Sequence, residues 1–109
     1  MFARMIQLTA KPGRGNELIK SMVERSLPVL KQQSGFVEAI ALIPETETDQ
    51  FVGISIWRSK SDADKFMQGQ GQQLAENYKP LLQAEPTLRS FNVEASTTQD
   101  ASSSRAAAR

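Results

Sequence analysis

The sequence predicts an α+β domain with the element order β-α-β-β-α-β: one antiparallel four-stranded sheet with helices on one face. Three observations predict it. Four short segments alternate with period two or are rich in β-branched and aromatic residues, as strands are. Two longer segments between them repeat apolar residues at spacings of three and four, the stripe of an amphipathic helix. Gly and Pro mark the junctions. Two β-α-β halves of this kind form one layered sheet, and right-handed crossovers place the first and third strands at its centre. A chain of 109 residues has room for one such domain, expected over residues 1–95.

The first strand spans residues 2–10, with Phe2, Ile6 and Leu8 on one side and Ala3, Met5 and Thr9 on the other. Lys11-Pro12-Gly13 stops it. Asn16 is a candidate helix cap, because its side chain can accept from orphan amides. Leu18, Ile19, Met22, Val23, Leu27 and Leu30 then form the first helical stripe. Pro28 stands inside it, which predicts a kink or a break. Gly35 fits the left-handed turn that follows a helix.

The second strand covers residues 36–43 and the third residues 51–57, FVGISIW, with an acidic loop of Glu45, Glu47 and Asp49 between them. Ser59–Asp62 and Ser61–Asp64 have the spacing of a capping box, with Asp in place of Glu or Gln. Ala63, Phe66 and Met67 open the second stripe, and Leu74, Tyr78, Leu81 and Leu82 continue it. Gly69 and Gly71 fall between the two groups. Each costs about 1 kcal/mol relative to Ala inside a helix, so a break is expected there. The fourth strand is expected over residues 88–95. Residues 96–109 form a small, polar, aromatic-free tail that cannot bury enough surface to offset its ordering entropy.

Composition removes whole classes of function. With 39% hydrophobic and 23% charged residues the chain is globular rather than disordered. It has no Cys and no His, so disulfides, thiolate zinc sites, Ser-His-Asp triads and imidazole-ligated haem are excluded. Residues 1–95 carry 11 basic and 11 acidic side chains, and the excess charge of +1 comes from the tail. Nucleic acid is therefore not an expected partner, since phosphate binding needs clustered positive charge. An RNA-recognition module shares this element order, but residues 49–56 lack its basic-Gly-aromatic octamer. No apolar run approaches the length of a membrane span, and the first ten residues are unlike a signal peptide, so a cytoplasmic protein is the default expectation.

The strands are apolar on both sides. The second places Phe36, Ile40 and Leu42 on one face and Val37, Ala39, Ala41 and Ile43 on the other. The third places Phe51 and Trp57 opposite Val52, Ile54 and Ile56. A half-exposed sheet would alternate apolar with polar. Helices cover only one face, so a second copy of the same sheet is the expected cover for the other. Beside Trp57, on its own face, stand Gly53 and Ser55. Small residues next to a large aromatic leave volume unfilled. A small-molecule pocket is expected there, lined by Gly53, Ser55, Trp57, Phe66, Met67 and Tyr78, with Asn77 and Tyr78 adding polar groups at its mouth. Plain packing of one Trp in a thin core is the competing reading. Ser55 has no histidine or obvious lysine base, so it is not read as a nucleophile. Arg89 either pairs with an acid or points into the pocket.

The run Phe51-Val52-Gly53-Ile54-Ser55-Ile56-Trp57-Arg58-Ser59-Lys60-Ser61 resembles the antibiotic biosynthesis monooxygenase domain, whose third strand ends in an aliphatic–Trp–x–Ser step. Ser34-Gly35-Phe36 and Lys79-Pro80-Leu81-Leu82 are similar to further family positions, and the likeness spans about residues 2–95. The resemblance implies a ferredoxin-like, dimeric α+β barrel. It implies the chemistry of members that oxidise polycyclic phenols or quinols by O2 without a cofactor, the substrate anion reducing oxygen itself, with Trp57 lining the cavity; here an aromatic phenol or quinol is the expected substrate. Haem-degrading members use a histidine that this chain lacks. The polar partners that quinol-oxidising members place near the Trp are not matched by Gly53 and Ser55. A non-catalytic ligand-binding or stress-related dimer of the same fold is the alternative.

Overall fold

Four strands pair antiparallel in the order β2-β3-β1-β4, so the first and third strands are central, as predicted. They are β1 (Phe2–Thr9), β2 (Phe36–Leu42), β3 (Gln50–Trp57) and β4 (Thr87–Asn92). This computed structural model describes residues 1–46 and 49–97. Glu47 and Thr48 of the acidic loop, and residues 98–109 of the predicted tail, lie outside the described residues.

The first crossover runs through α1 (Gly15–Ser21), a π-helical turn (Met22–Ser26) and α2 (Leu27–Lys31). Asn16 is not the cap. The helix starts one residue earlier, behind Arg14, whose side chain makes no capping bond. The Arg14 guanidinium instead grips Glu17 through two bonds of 2.9 and 2.8 Å, and that acid stands in the first turn, where orphan amides favour negative charge. Pro28 does not break the helix. It has no amide to offer the Glu24 carbonyl, and its ring would press on that oxygen. The wider π turn just before it makes that room, and the Leu27 amide reaches back to Met22 O. The widening also rotates the stripe. Leu18, Met22, Ser26 and Leu30 face inward, while Val23, predicted to be on the stripe, is 52% exposed.

Gly35 takes φ +80° in the turn into β2, and its carbonyl accepts from the Arg58 amide at 2.8 Å. A Cβ on Gly35 would run into the Asp62 side chain. The start of β2 then departs from prediction. Phe36 pairs with Trp57, but the next partner of Ile56 is Glu38, so Val37 is a bulge. Residues directly opposite in a ladder share a face. Phe36 therefore lies with Ala39 and Ala41 on the Trp57 face, not with Ile40 and Leu42.

The second crossover holds α3 (Lys60–Gln68) and α4 (Gln70–Tyr78), separated at Gly69 where a break was expected. Ser59 caps α3: its Oγ accepts from the Asp62 amide at 3.1 Å and donates to the Asp62 carboxylate at 2.9 Å. Ser61, by contrast, lies inside α3. Asp64 binds Arg4 of β1 at 3.0 Å and Lys60 at 3.1 Å, tying the helix to the sheet. Gly71 is buried where α4 folds against the Phe66 ring and carbonyl, both 2.9 Å from where a Cβ would stand.

The helices cover the face that carries Phe2, Leu8, Phe51 and Trp57. The opposite face carries Met5, Val52, Ile54 and Ile56, only partly buried, with Ile40, Leu42 and Phe91 at 41%, 45% and 40% exposure. Arg89 is on this open face, its guanidinium 5.0 Å from the Phe91 ring centre, and not in the pocket. No helix among the described residues is long and apolar enough to cross a membrane.

Candidate functional site

The buried residues form two clusters. Leu8, Ala10, Leu18, Met22, Phe51 and Tyr78 make one; Phe2, Leu30, Trp57 and Ala63 make the other. Residues of both line a cavity of about 120 Å³ between the sheet and the helices. Its floor is the centre of β3 and its neighbours: Ile6, Ala39, Ala41, Gly53 and Ser55. A side chain at Gly53 would crowd Ile6 at 3.1 Å and Phe51 at 3.2 Å, so both neighbours lean over the vacant position.

Trp57 is both core and wall. It is 1% exposed, and Phe36 meets its ring edge-on at 5.6 Å, with Phe66 tilted against it at 5.4 Å. Its indole N–H donates to Ser55 Oγ at 2.9 Å, and that hydroxyl donates onward to the Arg4 carbonyl at 3.5 Å. The acceptor is thus a side-chain hydroxyl and not a backbone oxygen.

The remaining polar lining is sparse. Tyr78, 5% exposed, points its hydroxyl at Met22 Sδ, 3.8 Å away. Burial pushes its phenol up to about 12, outweighing the opposing pull of Arg25, so it stays protonated throughout the neutral range. Arg4 reaches the lining from β1 while bonded to Asp64, whose carboxyl Lys60 and Arg4 hold below the usual carboxylate range. Ser26 is 3% exposed and its hydroxyl has no hydrogen-bond partner. The lining presents no carboxylate, and among the described residues no cluster of acids could hold a metal ion.

Of the residues predicted for the site, Gly53, Ser55, Trp57, Phe66, Met67 and Tyr78 line this cavity. Asn77 does not. It is exposed on α4, because Leu74 and Tyr78 take the inward phase and position 77 turns about 100° away. Sequence reasoning missed Ser26 and Arg4. Ser26 had a signal: it falls in the four-residue series Leu18, Met22, Ser26, Leu30, a hydroxyl on an otherwise apolar line.

A ferredoxin-like sheet roofed by two helical crossovers, with an apolar hollow beneath them, defines an α+β class of small domain. The chain belongs to the antibiotic biosynthesis monooxygenase (ABM) family, whose model matches residues 1–77. Solved structures agree on the fold. A Nitrosomonas europaea protein of unknown function superposes with a TM-score of 0.79 at 22% identity, over 90% of this chain and 93% of that one. SnoaB, a cofactor-independent oxygenase from Streptomyces nogalater, superposes with a TM-score of 0.74 at 17% identity, over 90% and 97%. No curated protein sequence matches the chain.

Proposed function

We propose that this protein is a cofactor-independent monooxygenase that binds a small aromatic phenol or quinol in the cavity and exposes it to O2. The observation that carries the reading is the apolar hollow walled by Trp57 and Phe66, in a chain of the ABM family. The likeness of its fold to SnoaB supports it.

Trp57 and Phe66 form an aromatic wall, with Phe36 packed edge-on against the Trp57 ring. Gly53 and Ser55 leave the space in front of it, and the helices exclude water from a substrate intermediate. Tyr78 acts as a donor rather than a base, because its phenol keeps its proton. With no carboxylate or imidazole on the lining, a substrate acidic enough to ionise in water gives its proton to solvent and enters as the anion. An electron-rich ring then reduces O2 directly. For a phenol with an open para position, one oxygen atom enters the ring as the second quinone carbonyl. The other leaves as water, carrying the hydroxyl hydrogen and the displaced ring hydrogen. The active unit is a homodimer in a soluble, cytoplasmic setting, closed through the open sheet faces, which gives Ile40, Leu42 and Phe91 an apolar cover.

An oxygen electrode with a panel of phenols and quinols tests the chemistry. Uptake of one O2 per substrate consumed is expected, and no uptake with any ring that binds would overturn it. That outcome leaves the second reading, a non-catalytic binding protein, which has its own support: the Ser55 hydroxyl is already committed to Trp57 and the Arg4 carbonyl. Light scattering at micromolar concentration tests assembly. Twice the chain mass is expected; a single-chain mass refutes the dimer.

A further inference from the structure

The four strands contain three charged side chains. Arg4 lies under the helices, bonded to Asp64. The other two, Glu38 and Arg89, are both exposed and both on the open face. They are of opposite sign and stand on opposite edges of the sheet, Glu38 on β2 and Arg89 on β4. Three strand spacings, about 14 Å, separate those edges. No ion pair joins the two residues within the chain.

Each charge is aimed by a local device. The bulge at Val37 turns Glu38 to the open face; without it that carboxylate would share a side with Phe36, beneath the helices. The Arg89 guanidinium folds over the Phe91 ring, 5.0 Å from its centre. Strand pairing sets Phe91, Ala3, Ile56 and Glu38 in one row across the sheet, with Arg89 one row away. By leaning over Phe91 the guanidinium moves into the row of Glu38.

A two-fold axis between facing sheets decides which edges meet, and two orientations of it keep the strands aligned. An axis across the strands lays β2 on β2 and β4 on β4, so like charges approach each other at both edges. An axis along the strands lays each β2 over the partner's β4. Glu38 then faces the partner's Arg89 twice by symmetry, across a gap of about 10 Å that the two side chains span together. The apolar residues between the edges are covered either way; only the second arrangement also matches the charges.

We propose that the open face seats a second copy of this chain about a two-fold axis along the strands, with Glu38 of each copy paired to Arg89 of the other. This rests on the reading of the protein as a face-to-face homodimer and adds its axis and its polar register.

Charge reversal in the full chain tests the pairing. Glu38→Arg and Arg89→Glu each set like charges against each other twice per dimer. Each is expected to raise the dimer dissociation constant about 10- to 100-fold in sedimentation equilibrium. The two variants complement one another. Refolded together from urea, they should give roughly nine-tenths heterodimer by native mass spectrometry, against about half for chains indifferent to charge. A heterodimer forms only if both variants fold, so rescue also answers misfolding. Variants that dimerise as tightly as wild type and mix at random overturn the ion pair and leave the dimer standing. Weakened variants that fail to rescue each other overturn it as well. A single-chain mass for wild type at every concentration means that something else covers this face; the dimer falls, and the pairing with it.

Discussion

The two clusters flanking the cavity are built differently. The one around Leu8, Leu18, Phe51 and Tyr78 is largely aliphatic, and β1, β3 and the helices α1 and α4 all feed it. The one around Trp57 is aromatic, with Phe36 and Phe66 set against the indole, and it draws on the Gly35 turn and α3. Both take their largest fully buried side chain from the same strand. Phe51 and Trp57 lie six residues apart on one face of β3, with only Gly53 and Ser55 between them on that face. The hollow is thus written into one strand as large, small, small, large. It needs no unusual backbone, only side chains too short to let the clusters merge.

Substitutions break or sharpen that contrast. Trp57→Ala removes the centre of the aromatic cluster and should cost about 3–5 kcal/mol in urea denaturation, along with aromatic ligand binding. A loss below about 1 kcal/mol would show that the ring is a lining and not a core element. Gly35→Ala should cost about 2–3 kcal/mol, because it strains a positive φ and drives a methyl into Asp62. Adding Asp62→Ala should return part of that loss, and a purely additive double variant would dismiss the clash. Ser55→Ala leaves the indole N–H unpaired in a dry site and should cost about 1–2 kcal/mol, with a shift in tryptophan emission.

At neutral pH the smallest effect belongs to the aliphatic cluster. The Tyr78 phenol is raised in the folded chain, from the ordinary 10.0 to about 12. The unfolded chain therefore ionises first, and stability is lost as pH rises from about 10 to 12. Tyr78→Phe should melt much like wild type at pH 7 but lose less stability across that alkaline range. Parallel melting curves for the two proteins up to pH 12 would contradict the burial of this group.

The four strands, the Gly69 break and the Ser59 cap were legible because period, glycine and capping chemistry are local signals. The bulge at Val37 was not read, although Glu38 carried its signal: an unbulged strand would put that charge on the same face as Phe36, beneath the helices. Pro28 marked where the first helix would yield, but not that it would widen rather than break. Within the site, the contrast between Trp57 and its small neighbours was legible as volume. Asn77 was misplaced although the stripe through Leu74 and Tyr78 already fixed the phase of α4 and turned position 77 outward. Ser26 was passed over as one polar residue among apolar ones, although its spacing pointed inward.

The miniature side chains at 39, 41, 55 and 75 stand on main chain already fixed by ladders or helix bonds. Exchanging one of them for the next size up trims the chamber by a methyl group or two and leaves that framework alone. The size of the hollow is therefore set by a handful of letters that the fold itself does not depend on.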